Sequence, residues 1–424
     1  MAGTRAHFDG STTGLTERST LVRPVGALER LFFRYSERNT SHFLLVAEFD
    51  VVLEAQQLRK ALNSVQQRHP LLSVHVEDHP TIRLGFYRAA AVEPIPLTVL
   101  DAGHCDWRSM AAVELARPFD HSTAPLMRAA LLTGPVSSIV ILTFDHSIAD
   151  GISSVIVLDD LIAGLNGRQL EYLPTPPTIE DLVDNSLNGS SAVATAKPDE
   201  RMTAPASHRP FDGTPPFLHA STVTEEDTTR LAQRCRAEST TVHAAILVAA
   251  SRARSQLLGD GFVRALSPID IRAFTGAQAH CAAYFSGACT GLAPSDGTSF
   301  WDQARAMSAD VDAARSGVGV VTASRAIRQA MTVGATASTA RQVLGEVFAW
   351  EVLATNLGRQ DLTDTGEIAP SAIWAPIAQT HITGEYVIGI VTYRGCLRMT
   401  CVGYSPVTDY LHSVVEILLT ASTD

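Results

Sequence analysis

Apolar runs broken by polar, Pro and Gly positions divide most of the chain into short segments of strand or helix character. Residues 41–51 read as a strand with Phe43, Leu45 and Ala47 on alternate positions. Leu58, Leu62 and Val65 then recur at helical spacing across 54–68, and Pro70 stops that helix. Residues 71–77 and 81–87 read as two strands around an Asp-His-Pro turn, and 109–115 as a helix. The apolar runs 126–132 and 138–144, on either side of Gly134-Pro135, read as strands. A helical composition follows Gly151, over 152–165.

The texture then changes. Residues 173–216 hold eight prolines among many Ser, Thr and Ala, the composition of a linker or crossing loop and not of a folded unit. Beyond it, 217–223 reads as a strand, 225–238 and 241–257 as helices, and 262–270 as a strand. Helical patterns fill much of 299–345. Strand-like runs return at 351–357, 372–377, 384–393 and 396–404, and a last helix spans 408–420. Residues 1–20, rich in Thr, Ser and Gly, are expected to be a disordered tail. The organisation expected is therefore a tail (1–20), an N-terminal subdomain (21–172), a Pro-rich crossing segment (173–216) and a C-terminal subdomain (217–424). Each half mixes strands and helices in similar proportion, which gives a pair of α/β subdomains.

Composition narrows the function. A length of 424 residues exceeds one ordinary core and suits two units of roughly 200 residues each. Apolar residues make up 46% and charged residues 18%, as in a globular protein and not a disordered one. A formal net charge of -11 argues against nucleic acid as the main partner, because phosphate neutralisation needs a basic surface. The six cysteines form no Cys-x-x-Cys pair and no His-rich cluster accompanies them, so neither a zinc site nor a disulfide framework is expected. The polar start has no apolar h-region and no run is long enough to span a bilayer. A reducing cytoplasm is the expected compartment.

The chemistry concentrates at Asp145-His146-Ser147-Ile148-Ala149-Asp150-Gly151. The buried-strand run 139–144 delivers Asp145 and His146 to a strand end. Asp150-Gly151 then closes a turn, with Gly151 free to take φ > 0, before the helix. A histidine at the mouth of a strand–turn–helix projects into a cleft. A lone histidine beside an apolar strand is ordinarily a satisfied structural residue, and one such placement among 14 histidines arises by chance. The pattern as a whole is more specific. Strand alternation turns Asp145 away from the face that presents His146, which points to a structural role for it. Ser153-Ser154 reads as a helix cap and not a nucleophile. Gly-x-Ser-x-Gly, a phosphate-binding Gly-rich loop and a Rossmann fingerprint are all absent.

His146-x-x-x-Asp150-Gly151 resembles the active-site motif of the CoA-dependent acyltransferase superfamily. That group includes chloramphenicol acetyltransferase, the plant BAHD enzymes, the condensation domains of nonribosomal peptide synthetases, and polyketide-associated acyltransferases of the phthiocerol dimycocerosyl transferase type. Arg68-His69-Pro70-Leu71-Leu72, Pro118-Phe119-Asp120 with Pro125-Leu126-Met127-Arg128, Ser267-Pro268-Ile269-Asp270-Ile271-Arg272 and Asn356-Leu357-Gly358-Arg359 resemble further segments of that superfamily. Arg68-His69-Pro70 also reads simply as a helix stop with favourable basic residues, and Asn356-Leu357-Gly358-Arg359 either as a plain turn or as a cleft lining. Many relatives carry a second histidine where this chain has Asp145. The likeness is nearest to the stand-alone polyketide-associated enzymes and to stand-alone condensation enzymes.

The resemblance implies an α/β fold of two chloramphenicol acetyltransferase-like subdomains with a channel between them. It implies His146 as general base, with Asp150, Gly151, Arg272 and Asp145 structural at the site and Asn356 and Gly358 along the substrate channel. Asp150 would pair with Arg272 or merely cap the following helix. The acyl donor implied is a thioester of CoA or of the phosphopantetheine arm of an acyl carrier protein. The acceptor is a small alcohol or amine, with no permanent cofactor and no metal. Arg30, Arg34 and Arg38 would face an acidic carrier or form a solvated helix face. Two rivals stand: a stand-alone condensation enzyme forming an amide with the same His146, and a catalytically silent docking protein of the same fold, against which the intact His146, Asp150 and Gly151 argue.

Overall fold

The computed structural model describes residues 19–423 apart from 80–82, 104, 188–198, 278, 296 and 364–365. Most of the expected tail, and the start of the expected strand at 81–87, lie outside the described residues. In chain order the first half contains β1 (Thr20–Pro24), α1 (Ala27–Ser36), β2 (His42–Phe49), α2 (Ala55–Arg68), β3 (His75–His79), β4 (Arg83–Arg88), β5 (Leu97–Asp101), α3 (Trp107–Leu115), β6 (Met127–Thr133), β7 (Ser138–Asp145), α4 (Gly151–Leu165) and α5 (Ile179–Ser186). The second half contains β8 (Phe217–Val223), α6 (Glu225–Ala237), α7 (Val242–Leu258), β9 (Val263–Asp270), α8 (Arg272–Thr275), β10 (Phe285–Leu292), α9 (Phe300–Arg315), α10 (Gly317–Ala330) and α11 (Ala337–Gln342). β11 (Val352–Gln360), β12 (Ala372–Ala378), β13 (Tyr386–Tyr393), β14 (Cys396–Gly403) and α12 (Val407–Thr423) complete it.

Two large sheets organise these elements. One runs β12-β2-β7-β6-β5 and the other β10-β9-β11-β13-β14-β8, with a small sheet β1-β4-β3 beside them. β2 and β7 are central strands buried almost throughout, which explains why their sequences are apolar on consecutive positions instead of alternating cleanly. β12 comes from the second half yet pairs antiparallel with β2, Ala372 opposite Glu48 and Ala378 opposite Phe43. The chain thus crosses back to complete the first sheet. A single apolar cluster accordingly joins Phe43, Leu142 and Leu158 of the first half to Tyr284, Trp350 and Ile373 of the second. A second cluster packs α7, α9 and α12 on the other sheet. α7 is Ala-rich and buried on nearly every face, begins at the Thr241 cap and ends at Gly259 with φ 78°.

Several sequence expectations need correcting. Pro70–Ser73 is a short 3-10 turn, so strand pairing begins only at His75. Within 173–216, where composition predicts a linker alone, α5 forms an amphipathic helix with Ile179, Glu180 and Val183 buried. β5 and β10 escaped the hydrophobic pattern. β10 is Phe-Ser-Gly-Ala-Cys-Thr-Gly-Leu, too rich in small residues to signal a strand, and its ladder with β9 supplies the order.

Candidate active site

The β2–β7 ladder sets the site. His42 lies opposite Asp145 and Phe43 opposite Phe144. Directly opposed residues share a face. The Phe43 and Phe144 rings stack at 5.6 Å, while Asp145 points to the other side. After Asp145 the chain turns. The Asp145 Oδ1 accepts the Ser147 N–H at 2.9 Å and the Ser147 hydroxyl at 2.5 Å, and the Asp145 carbonyl accepts the Ile148 N–H. This local Asx-type turn lifts His146 off the strand.

The His146 ring stacks on Phe32 of α1 with centroids 4.2 Å apart and planes at 12°. Phe43 lies 4.9 Å away and Phe285, the first residue of β10, 5.2 Å away. His146 Nδ1 sits 2.9 Å from the Ala149 carbonyl oxygen. A carbonyl only accepts, so Nδ1 carries the proton and donates it there, and Nε2 holds the free lone pair of the neutral ring. Burial among these rings lowers the His146 pKa below its ordinary value, more than the Asp150 charge and the Ala149 bond raise it. The half-buried imidazole is therefore a neutral acceptor at neutral pH, with Nδ1 directed and Nε2 without a hydrogen-bond partner among the described residues.

Asp150 and Arg272 meet. Arg272 Nη1 donates to Asp150 Oδ2 at 2.8 Å and Nη2 to Oδ1 at 3.0 Å. The Asp150 carboxylate also accepts the Ser153 N–H at 2.7 Å, the Ser153 hydroxyl at 2.8 Å and the Tyr284 N–H at 2.8 Å. It is at once the N-cap of α4 and the partner of a guanidinium from the second half, so the two readings of Asp150 combine. Burial raises its pKa, but Arg272 and the three other donors outweigh that and hold it below the ordinary carboxylate value. Arg272 opens the short helix α8 and is 1% exposed; it also donates to Asp270, to the Ser153 hydroxyl oxygen and to the carbonyls of His280 and Ala282.

Gly151 is needed for a different reason from the one its sequence suggested. It is the first residue of α4 and does not take positive φ. A Cβ there would lie 2.7 Å from Leu357 Cδ2 and 3.4 Å from Pro376 Cγ. The requirement is close approach: β11 and β12 press on the N-terminus of α4. This also places the Asn356-Leu357-Gly358 segment, since Leu357 abuts the motif. Asn356 Oδ1 accepts the Gly358 N–H at 2.7 Å, and Gly358 has φ 71°, so the segment is a turn as well as a neighbour of the site.

Arg68 and His69 both bond Asp160 of α4, at 2.7 and 2.8 Å, tying the end of α2 to that helix. Arg128 pairs with buried Glu114 at 2.9 Å and lies 3.9 Å over the Phe119 ring, building the loop before β6. Among the three arginines of α1 and its end, Arg30 donates to the Met331 and Val25 carbonyls and Arg34 pairs with Glu37 and Asp78, leaving Arg38 exposed. The sequence reading missed Phe32, Phe285 and His121. The family likeness covers Pro118-Phe119-Asp120 and stops one residue short of His121, whose Nε2 lies 2.8 Å from Asp145 Oδ2. Phe32 and Phe285 carry no local signal; only the tertiary fold brings them to His146. Among the described residues no group of three or more His, Cys, Asp or Glu is placed to hold a metal ion, and no helix is long and apolar enough to cross a membrane.

Comparison with known proteins agrees with this architecture. The condensation-domain family matches residues 28–192. HC-toxin synthetase of Cochliobolus carbonum is 26% identical over 170 residues, 37% of this chain, and bacitracin synthase 1 of Bacillus licheniformis is 27% identical over 134 residues, 30% of this chain. The chain spans only 3% and 2% of the lengths of those two proteins. Among solved structures, polyketide synthase associated protein 5 from Mycobacterium tuberculosis superposes with a TM-score of 0.70 at 15% identity, covering 96% of this chain and 98% of that one. The first condensation domain of the calcium-dependent antibiotic synthetase gives 0.68 at 15% identity with 96% and 98% covered. Trichothecene 15-O-acetyltransferase from Fusarium sporotrichioides gives 0.65 at 12% identity, with 97% of each chain covered.

Proposed function

We propose that this chain, which has the fold of condensation domains and polyketide-associated acyltransferases, transfers an acyl group from a CoA or carrier-protein thioester to a hydroxyl, with His146 as general base. The observation that carries the reading is the His146 imidazole itself: Nδ1–H committed to Ala149, Nε2 free, and a low pKa from aromatic burial. The acceptor O–H gives its proton to Nε2 as its oxygen attacks the thioester carbonyl. The tetrahedral intermediate collapses with cleavage of the C–S bond, and the departing sulfur takes the proton back from the imidazolium. An ester and a free thiol leave, with no acyl-enzyme and no net change at His146.

The reading of an amine acceptor, giving an amide, draws support from the condensation-domain match and the peptide-synthetase relatives. It uses the same base, so only the acceptor separates the two. The carrier thioester is preferred to CoA on the same likeness. The test is thiol release from hexanoyl-CoA and from a hexanoyl-loaded carrier protein, with and without a panel of alcohols and amines. Release that depends on an alcohol and vanishes in His146→Ala supports the proposal. Release that depends only on amines selects the amide reading. Full turnover in a folded His146→Ala variant removes His146 as the base.

A further inference from the structure

The turn that carries His146 has a partner outside the motif. His121 reaches across from the loop before β6, and its Nε2 lies 2.8 Å from Asp145 Oδ2 and 3.3 Å from the Ser36 hydroxyl of α1. Its ring meets Phe33 of α1 edge-on, with centroids 5.3 Å apart and planes at 88°. The loop is held independently, since the Val76 N–H donates to the His121 carbonyl at 2.8 Å. Asp145, 1% exposed, spends its other oxygen on Ser147, the residue after the catalytic histidine. Phe32, stacked on His146, sits beside Phe33 on the helix that His121 touches. One imidazole thus contacts both the turn that carries another and the helix that stacks on it.

We propose that His121 is a positioning residue for His146: through Asp145 it holds the turn that carries the catalytic ring, and through its edge-on contact with Phe33 it packs against the helix that stacks on that ring. The proposal rests on His146 being the base.

Charge adds a consequence. Among the described residues, the carboxylates that act on His121 are Asp145 at the end of β7, Asp120 in its own loop and Glu37 after α1. Burial alone lowers the His121 pKa, but these carboxylates, Asp145 foremost, carry it above the ordinary value. A raised histidine pKa means that the imidazolium–carboxylate pair is fully formed below the unfolded value and is lost as pH rises through the folded one. Transfer then needs His146 neutral and His121 charged, and kcat/KM should be bell-shaped, the alkaline limb belonging to His121.

Two measurements on the full chain decide this. In 15N-histidine-labelled protein, with His121 and His146 ring signals assigned by their loss in His121→Gln and His146→Ala, His121 should titrate above about 6.5 and should fall below it in Asp145→Asn. The His146 ring signals should shift in His121→Gln. In thiol release from hexanoyl-CoA, His121→Ala should lower kcat by about 10–100-fold with little change in KM. His121→Gln, which keeps a donor but no charge, should recover part of that loss and abolish the alkaline limb. Unchanged His146 signals in both His121→Gln and Asp145→Asn, or an alkaline limb that survives His121→Gln, overturn the proposal. The spectra stand without turnover: if His146→Ala proves fully active, the base assignment fails while the coupling of the two rings is still read directly.

Discussion

Replacing Asp150 by asparagine keeps its shape and removes its charge. In the native site one oxygen accepts from Arg272 Nη1 and the Tyr284 N–H, the other from Arg272 Nη2, the Ser153 N–H and the Ser153 hydroxyl. Whichever way the new amide turns, its NH2 faces at least two donors. Arg272 is left with Asp270 as its remaining carboxylate, at 2.8 Å. Losing a cap alone costs about 1 kcal/mol, whereas breaking a buried ion pair costs about 3–5 kcal/mol. The Asp150 and Arg272 side chains are 5% and 1% exposed, so the larger figure applies, and Arg272→Ala belongs to the same range. Both singles remove one shared interaction, so the double variant should be milder than their sum by about 1–3 kcal/mol. Urea unfolding at pH 7 measures this from midpoints at a common slope. The sign with pH is also set. A depressed folded pKa gives stability that is present above the unfolded carboxylate value, about 3.9, and that is lost as pH falls through the folded one. The gap between wild type and Asp150→Asn should therefore be constant near neutrality and narrow in acid. Additivity of the two singles to within about 0.5 kcal/mol, or a loss near the cap value alone, refutes the pairing as the source of the stability.

Further expectations concern the ring and its turn. Because burial lowers the His146 pKa, the acid limb of kcat/KM should lie below about 6.5, and an acid limb above that value contradicts the site geometry. Phe32→Ala opens the stacked face of the ring, so that limb should move to higher pH while the Nδ1 bond to Ala149 persists; titration of kcat/KM reads it. Gly151→Ala should destabilise by about 1–3 kcal/mol through its contacts with Leu357 and Pro376, and adding Leu357→Ala should restore part of the activity lost. No restoration would point to a backbone demand at Gly151 instead of a steric one.

Much of this site was legible where local pattern and chemistry coincide. The apolar run of β7, the His146 turn and the α4 start lie within 14 consecutive residues, so periodicity, turn chemistry and the motif reinforce one another. The class of fold followed from the mix of strand and helix in both halves. The misses have physical causes. β10 is built of small residues and depends on β9 for its order, so no hydrophobic signal marks it. α5 is eight residues long and sits among prolines, whose composition outweighed its amphipathic face. The purpose of Gly151 was misread because a glycine after aspartate suggests a turn, while the contact that demands it comes from Leu357 and Pro376, some 200 positions away.

Those contacts share a direction. Arg272 bonds the carboxylate that caps α4, and the Ala282 N–H donates to the Ser153 hydroxyl oxygen in its first turn. Leu357 and Pro376 close on its first residue, and Phe285 lies against the histidine just before it. All five come from the second half, from α8 through β12. The first half alone supplies His146 and its directing carbonyl, but the setting of both depends on residues the chain reaches only after the crossing segment. β12 makes that dependence stronger, since it is hydrogen-bonded in the first sheet beside β2 and holds Pro376 at the glycine. A histidine motif of a few residues is thus the visible part of a site whose geometry is set at long range. For that reason the motif could be read from sequence and the way it is held could not.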